Sequence, residues 1–302
     1  MIYQETGNPW VIRFLRYKFI TRKEIKMLQF GSLATFFAPM LGSFGTWWQN
    51  QIESYDVNTA GWIQEFVYEF DRNFVREDRW LSLFKGLLNT LYITFFAVLL
   101  GIAIGIVIAL IRSTYDKNYS DMKHQGGVGR WILAFFNGIC NAYLSIIRGT
   151  PVVVQLLIMY FIIFESSTNG IMVAIIAFGV NSGAYVAEIF RGGILSIDHG
   201  QFEAGRSLGF NYIQTMIYIV IPQMFKAVLP TLCNEFIVLL KETAVAGYVG
   251  IADLTKAGDL IRGRTFSAFM PLIAVAVIYF VIVMIFTKLV GKLERRLRKS
   301  DR

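Results

Sequence analysis

Long apolar stretches alternate with short polar ones along the chain, and the apolar stretches are too long for the strands or helices of a water-soluble core. A bilayer span needs about 20 apolar residues at 1.5 Å each to cross roughly 30 Å of hydrocarbon. Residues 86–111, 166–187 and 265–287 meet that length directly. Residues 151–164 are short by themselves and reach it by extending back toward Ile147. Residues 225–249 complete the set, although Pro230, Glu235, Lys241 and Glu242 interrupt them. This pattern predicts an all-α membrane protein with five core spans. A further N-terminal span is expected near 27–48, a chargeless stretch diluted by Gly31, Pro39, Gly42 and Gly45, with an interfacial or re-entrant hairpin as the alternative.

One polar interval does not read as a span. Over residues 192–222 the sequence predicts two short capped helices. Asp198 and Gln201 form a capping-box start, and Gly209 is placed to close that helix in a left-handed conformation. Asn211 with Gln214 repeats the start signal, and Pro222 disfavours helical geometry at Ile221 and is expected to stop or kink the second helix. The product is a helical hairpin. Small residues at Ala204 and Gly205, flanked by Phe202, Glu203 and Arg206, suit docking into a groove on a partner, while Ile213, Met216, Ile217 and Ile221 equally suit a hairpin lying on the membrane.

Composition agrees with a membrane protein. The 302 residues are 55% hydrophobic and 15% aromatic, and the mean hydropathy is +0.51. The net charge of +8 does not point to nucleic acid, because the basic residues gather in the N-terminal arm, one internal loop and the C-terminal tail. That distribution is a topology signal, since Lys and Arg are retained on the cytoplasmic side. The tail from Lys288 to Arg302 is therefore inside, as is the loop with Arg112, Lys117, Lys123 and Arg130, and the arm from Arg13 to Lys26 joins them if the N-terminal span exists. Lys256, Arg262 and Arg264 run against this rule in an outward loop, offset in part by Asp253 and Asp259. No cleavable leader is expected at the N-terminus. Cys140 and Cys233 sit among apolar residues as packed thiols, and neither they nor His124 and His199 have metal-ligand spacing, so no metal or other cofactor is expected.

Polar side chains at membrane depth are costly and mark paired groups or water-filled paths. Asn181, Tyr185 and Glu188 recur at i, i+4 and i+7 on one helix face. Gln155 adds a neutral polar group, and Glu242 shares a second face with Glu235, with Lys241 beside it. Together these supply the acceptor and the donor that a zwitterion needs, which makes Gln155, Asn181, Tyr185, Glu188, Lys241 and Glu242 candidates for a translocation path. The competing reading is local: Glu188 is placed to pair with Arg191, and Lys241 to pair nearby or snorkel. Gly101 and Gly105 form a Gly-x-x-x-Gly pair, suited either to close packing within the bundle or to a dimer seam.

The interval from Glu203 to Pro222 carries a resemblance. Glu203-Ala204-Gly205, three residues, Gly209, nine residues and Ile219-Val220-Ile221-Pro222 resemble the cytoplasmic coupling loop of the permease subunits of binding-protein-dependent ABC importers. Gly205 replaces the family's second Ala and Ile221 its Leu. Arg148-Gly149-Thr150-Pro151, the run from Asn181 to Glu188 and the run from Asn234 to Thr243 are similar to the polar amino-acid branch of that family. The resemblance implies a type I ABC importer transmembrane domain over 84–296, between an N-terminal extension over 1–80 and a basic cytoplasmic tail over 297–302. It further implies a multi-pass permease in a bacterial cytoplasmic membrane, a second permease subunit, identical or homologous, an extracytoplasmic amino-acid-binding protein, and coupling through Glu203, Ala204, Gly205, Gly209 and Pro222. No catalytic residues are expected. The chain has no phosphate-binding Gly-rich loop with Lys and Ser or Thr, so ATP hydrolysis is expected on separate ABC ATPase subunits. The alternative is a secondary transporter or channel for small polar solutes that acts without ATP, which leaves the hairpin unexplained.

Overall fold

A computed structural model describes residues 46–56, 61–125 and 128–300, and among these every regular element is helical. They form two compact units, which divide in the chain between Arg72 and Asn73. In the first, helix α1 over 46–53 packs on α2, Trp62–Phe70. Tyr55 stacks on Tyr68 at 4.1 Å between ring centroids, Trp48 meets Phe70 edge-on, and the Gln64 amide donates to the Ser54 hydroxyl. The expected N-terminal span near 27–48 and the basic arm lie outside the described residues, except for 46–48, which belong to α1.

The second unit contains α3 (Trp80–Gln125), α4 (Val128–Gly149), α5 (Val152–Ile158), α6 (Gly170–Leu195), α7 (His199–Ser207), α8 (Tyr212–Thr215), α9 (Ile221–Glu242), α10 (Leu254–Thr265) and α11 (Phe269–Ser300). Five segments among the described residues are long and apolar enough to cross a membrane: Trp80–Asp116, Val128–Gly149, Gly170–Leu195, Tyr212–Val249 and Phe269–Leu297. The number matches the sequence expectation, but the second span does not. It occupies α4, whereas the expected stretch over 151–164 is a separate, shorter helical segment that starts after Pro151. Asn137, Asn141 and Arg130 dilute the apolar signal of α4. Its buried stripe, Asn137, Cys140 and Leu144, contains a polar residue, while Trp131, Phe135, Phe136 and Ile139 point outward. A water-soluble helix would not turn four such side chains outward; large apolar groups outside and Asn137 within suit lipid, although Asn141 is exposed as well.

Helix α6 lies at the centre, buried on most of its circumference, and its most extensive partner is α3. Two glycines set how close these helices come. A Cβ on Gly101 would stand 3.0 Å from the Ser182 side chain, and one on Gly105 would stand 2.5 Å from Val186 Cγ1 and 2.9 Å from the Ala187 backbone nitrogen. The Gly-x-x-x-Gly pair is therefore a seam inside this chain, which is the close-packing reading of the motif and not the dimer seam.

The connection after α9 explains the basic residues that strained the charge rule. Asp253 is buried and caps α10, accepting from the backbone N–H groups of Thr255 and Lys256. Burial pushes its carboxyl above the ordinary aspartate range, against the pull of those hydrogen bonds. Thr90 accepts from the Leu254 backbone, and Asn89 donates to the Ala252 carbonyl, tying the start of α10 to α3. Asp259 binds both Lys256 and Arg262, and these hydrogen bonds hold its carboxyl below the ordinary range. Two of the three basic residues are thus neutralised within their own helix.

The glycine seam yields a direct test. Gly105→Ala should lower the stability of the purified protein by about 1–3 kcal/mol through overpacking. Gly138 has open space around a prospective Cβ, so Gly138→Ala should be neutral or stabilising by up to about 1 kcal/mol. Thermal unfolding in detergent, followed by intrinsic fluorescence, separates the two.

Candidate functional site

The hairpin between α6 and α9 starts with Asp198, whose side chain accepts from the Gly200 backbone rather than from Gln201. The Gln201 amide oxygen is engaged instead by Gln223 of α9 at 3.1 Å, which ties the base of the hairpin together. Helix α7 closes as the sequence predicts: Gly209 has φ of 80°, the Phe210 N–H bonds the Gly205 carbonyl and the Gly209 N–H bonds that of Arg206. This is the Schellman arrangement, which needs a residue free to adopt positive φ. The start of α8 is a complete capping box, with Asn211 and Gln214 each accepting the other's backbone N–H at 2.9 Å.

Pro222 behaves differently from the expectation. The chain stays helical through Ile221, which has φ of −59° and ψ of −44°. The strain is absorbed one turn earlier, where Met216–Val220 forms a single π turn and the Ile221 N–H reaches back to the Met216 carbonyl. A proline ring clashes with the carbonyl four residues before it; the wider turn moves that carbonyl aside. Gln223 also donates its side-chain amide to the Ile219 carbonyl at 3.0 Å.

The faces of α7 also differ from the sequence reading. Phe202 and Gly205 point into the chain, Phe202 packing among Met216, Val220, Met224, Phe190 and Ile194. A Cβ on Gly205 would stand 2.7 Å from Thr215, so the room left by this glycine is filled by α8 and not by a partner. Glu203, Ala204, Arg206 and Gly209 remain exposed. They form the outward face of the hairpin.

The six residues expected along a path separate into different environments. Pro151 has no N–H, which leaves the Ile147 carbonyl at the end of α4 without its helical donor. The Gln155 amide fills that place, donating to the Ile147 carbonyl at 2.7 Å and to the Thr150 carbonyl at 3.1 Å. Its oxygen accepts from the Asn181 amide at 2.9 Å, and Asn181 is 2% exposed. Gln155 and Asn181 are therefore brought together, as partners of each other and of the broken backbone. Tyr185, one turn along α6, is 38% exposed, with the Arg148 guanidinium 5.9 Å from its ring centre. Lys241 is exposed and Glu242 half-buried at the end of α9, and neither joins these groups.

Glu188 is the centre of an ion cluster drawn from three helices. It binds Arg191 at 3.1 Å within α6 and lies 3.7 Å from both Arg112 of α3 and Arg148 of α4. Arg191 also stands 3.7 Å from Asp116. The sequence identified the Arg191 contact through its i, i+3 spacing but missed Arg112 and Arg148, for which no local signal exists. Ser182 is a second omission: fully buried on α6, it donates to Glu235 of α9 at 2.9 Å.

This geometry makes Glu188 the common counter-charge of three guanidiniums. Glu188→Gln should lower stability by about 1.5–3 kcal/mol, the range for a hydrogen bond to a charged group. Adding Arg148→Gln should recover part of that loss, because one uncompensated cation is removed. Unfolding midpoints of both variants check this, and an additive loss in the double variant would exclude the shared pairing.

The chain matches the family model described as "Binding-protein-dependent transport system inner membrane component" over residues 127–299. It is 38% identical over 169 residues to the arginine transport system permease protein ArtQ of Bacillus subtilis (strain 168), covering 55% of this chain and 77% of that protein. To the glutamine transport system permease protein GlnP of Escherichia coli (strain K12) it is 36% identical over 175 residues, covering 56% and 78%. A solved structure described as an amino acid ABC transporter with histidines superposes with a TM-score of 0.63 at 37% identity, covering 79% of this chain and 99% of that one. The fold is thus that of the type I ABC importer transmembrane domain, and the chain belongs to the family of binding-protein-dependent transport system inner membrane components.

Proposed function

We propose that the chain is the permease subunit of an ATP-driven importer of polar amino acids. A binding protein delivers substrate from outside, a second permease subunit completes the path, and ABC ATPase subunits drive alternating access from the cytoplasmic side. The observation that carries this reading is the hairpin of α7 and α8, which shows Glu203, Ala204 and Arg206 outward while Phe202 and Gly205 root it in the chain. The same apolar cluster contains Ala109 of α3, Phe190 and Ile194 of α6, and Met224 and Val228 of α9. A close-packed cluster transmits displacement instead of absorbing it. A push on α7 from an ATPase would therefore move three spanning helices together. The arginine and glutamine transport permeases among the relatives, and the amino acid ABC transporter among the solved structures, support the substrate class. Among the polar residues at membrane depth, Tyr185, Lys241 and Glu242 have surface to offer a solute, whereas Gln155, Asn181 and Glu188 satisfy partners of their own. A transporter acting without ATP has no use for this hairpin, and family membership speaks against it.

The coupling reading makes a graded prediction. Glu203→Ala removes an exposed polar anchor, and Gly209→Val strains a residue at positive φ by about 1–2 kcal/mol. Both variants should insert and fold, yet copurify weakly with the ATPase or hydrolyse ATP without response to loaded binding protein. Gly205→Val should show the same defect together with lower thermal stability, because it strikes Thr215 first. Uptake of a panel of labelled amino acids by the reconstituted complex, with and without ATP, is the measurement. Normal coupled uptake in all three variants would overturn the assignment.

A further inference from the structure

The first compact unit lies outside the residues matched by the family model, and its helix α2 has a surface that the transport reading does not use. At 3.6 residues per turn, its side chains fall into three sectors. Gln64 and Tyr68 meet α1 and the residues that follow it, and Val67 is buried. Glu65 and Glu69 form a polar sector. Trp62, Ile63 and Phe66 occupy the remaining arc of about 100°, with Trp62 79% and Phe66 52% exposed, and Phe70 beside them meets Trp48 of α1 edge-on. Three large apolar side chains on one face of a nine-residue helix call for a cover.

Three observations choose the cover. Only nine residues, 71–79, separate α2 from Trp80, where a membrane-spanning segment begins. Fully extended, nine residues reach about 30 Å, no more than the thickness of the hydrocarbon itself. The exposed residues are chiefly aromatic, and such side chains are favoured at the membrane–water boundary, where large rings gain from partial burial. Finally, α2 contains no Lys or Arg, which removes the polybasic mode of attachment and leaves burial of apolar area as the source of affinity.

We propose that α2 is an interfacial helix, lying in the plane of the bilayer, with Trp62, Ile63 and Phe66 in the boundary between headgroups and acyl chains. The lipid surface is its partner. The inference rests on the membrane placement of α3, and the test contains a separate control for that.

The full chain, with Cys140→Ala and Cys233→Ala, is reconstituted into vesicles of phosphatidylcholine and phosphatidylglycerol. A nitroxide is attached to single cysteines made by Trp62→Cys, Phe66→Cys, Glu65→Cys or Glu69→Cys, and to Val107→Cys, on an exposed face of α3. Collision with oxygen is compared with collision with a water-soluble nickel chelate. Labels at 62 and 66 should favour oxygen and report a depth of about 5–10 Å, while those at 65 and 69 should favour the chelate. Access of the chelate to 62 and 66 would mean a face in water, and access of neither reagent would mean a face covered by protein, including residues 1–45 of this chain; either result overturns the proposal. A label at 107 that behaves as water-exposed would instead undo the membrane placement of α3. In the chain with its native cysteines, brominated lipids should quench a larger share of the tryptophan fluorescence than they do after Trp62→Phe. Equal quenched shares would also overturn it.

Discussion

Hydrocarbon supplies no hydrogen bonds, so every backbone group that leaves a regular helix inside the bilayer must find a partner within the chain. The second unit meets this constraint at three interruptions in two ways. At Pro151 a side chain does it: Gln155 takes over the Ile147 carbonyl and is itself held by Asn181. At Pro222 the backbone does it, through a π turn that moves the clash aside. At the end of α5 a second π turn, Met159–Ile163, closes with the Phe164 N–H on the Met159 carbonyl. The polar residues that look most like a transport path from their spacing are in part repairs to the scaffold.

The charged groups follow a related economy. Glu188 gathers arginines from α3, α4 and its own helix, so three elements distant in sequence share one carboxylate. The cluster sits on the part of α6 that leads into the α7–α8 hairpin, a few residues before Phe190 and Ile194 enter the apolar cluster around Phe202. Electrostatic and apolar attachments thus meet at one end of α6.

What the sequence made legible is local. Gly209 and the Asn211–Gln214 box were readable because the chemistry lies within a few residues and depends on φ or on side-chain reach. Spacing suits Phe202 and Gly205 to a partner, but it cannot tell which side of a short helix its own chain covers. The span at Val128–Gly149 was missed because Asn137 lowers its apolar signal on the side that packs inward, and in a bilayer that is where polarity belongs. Arg112 and Arg148 reach Glu188 across 76 and 40 positions of sequence, and no periodicity connects them. Glycine in place of alanine at position 205 of the hairpin motif has its physical reason in Thr215, which leaves no room for a Cβ.

The glycine seam between α3 and α6 bears on how such a molecule can move. With Gly101 and Gly105 each fitted against specific side chains, the two helices mesh like teeth. Sliding by a fraction of a turn would drive a side chain into a position where only hydrogen fits, and the next matching register lies about 5.4 Å away. Rotation of α6 about its own axis meets the same obstacle. Whatever opens and closes in this protein must do so along another surface, with α3 and α6 carried as one piece.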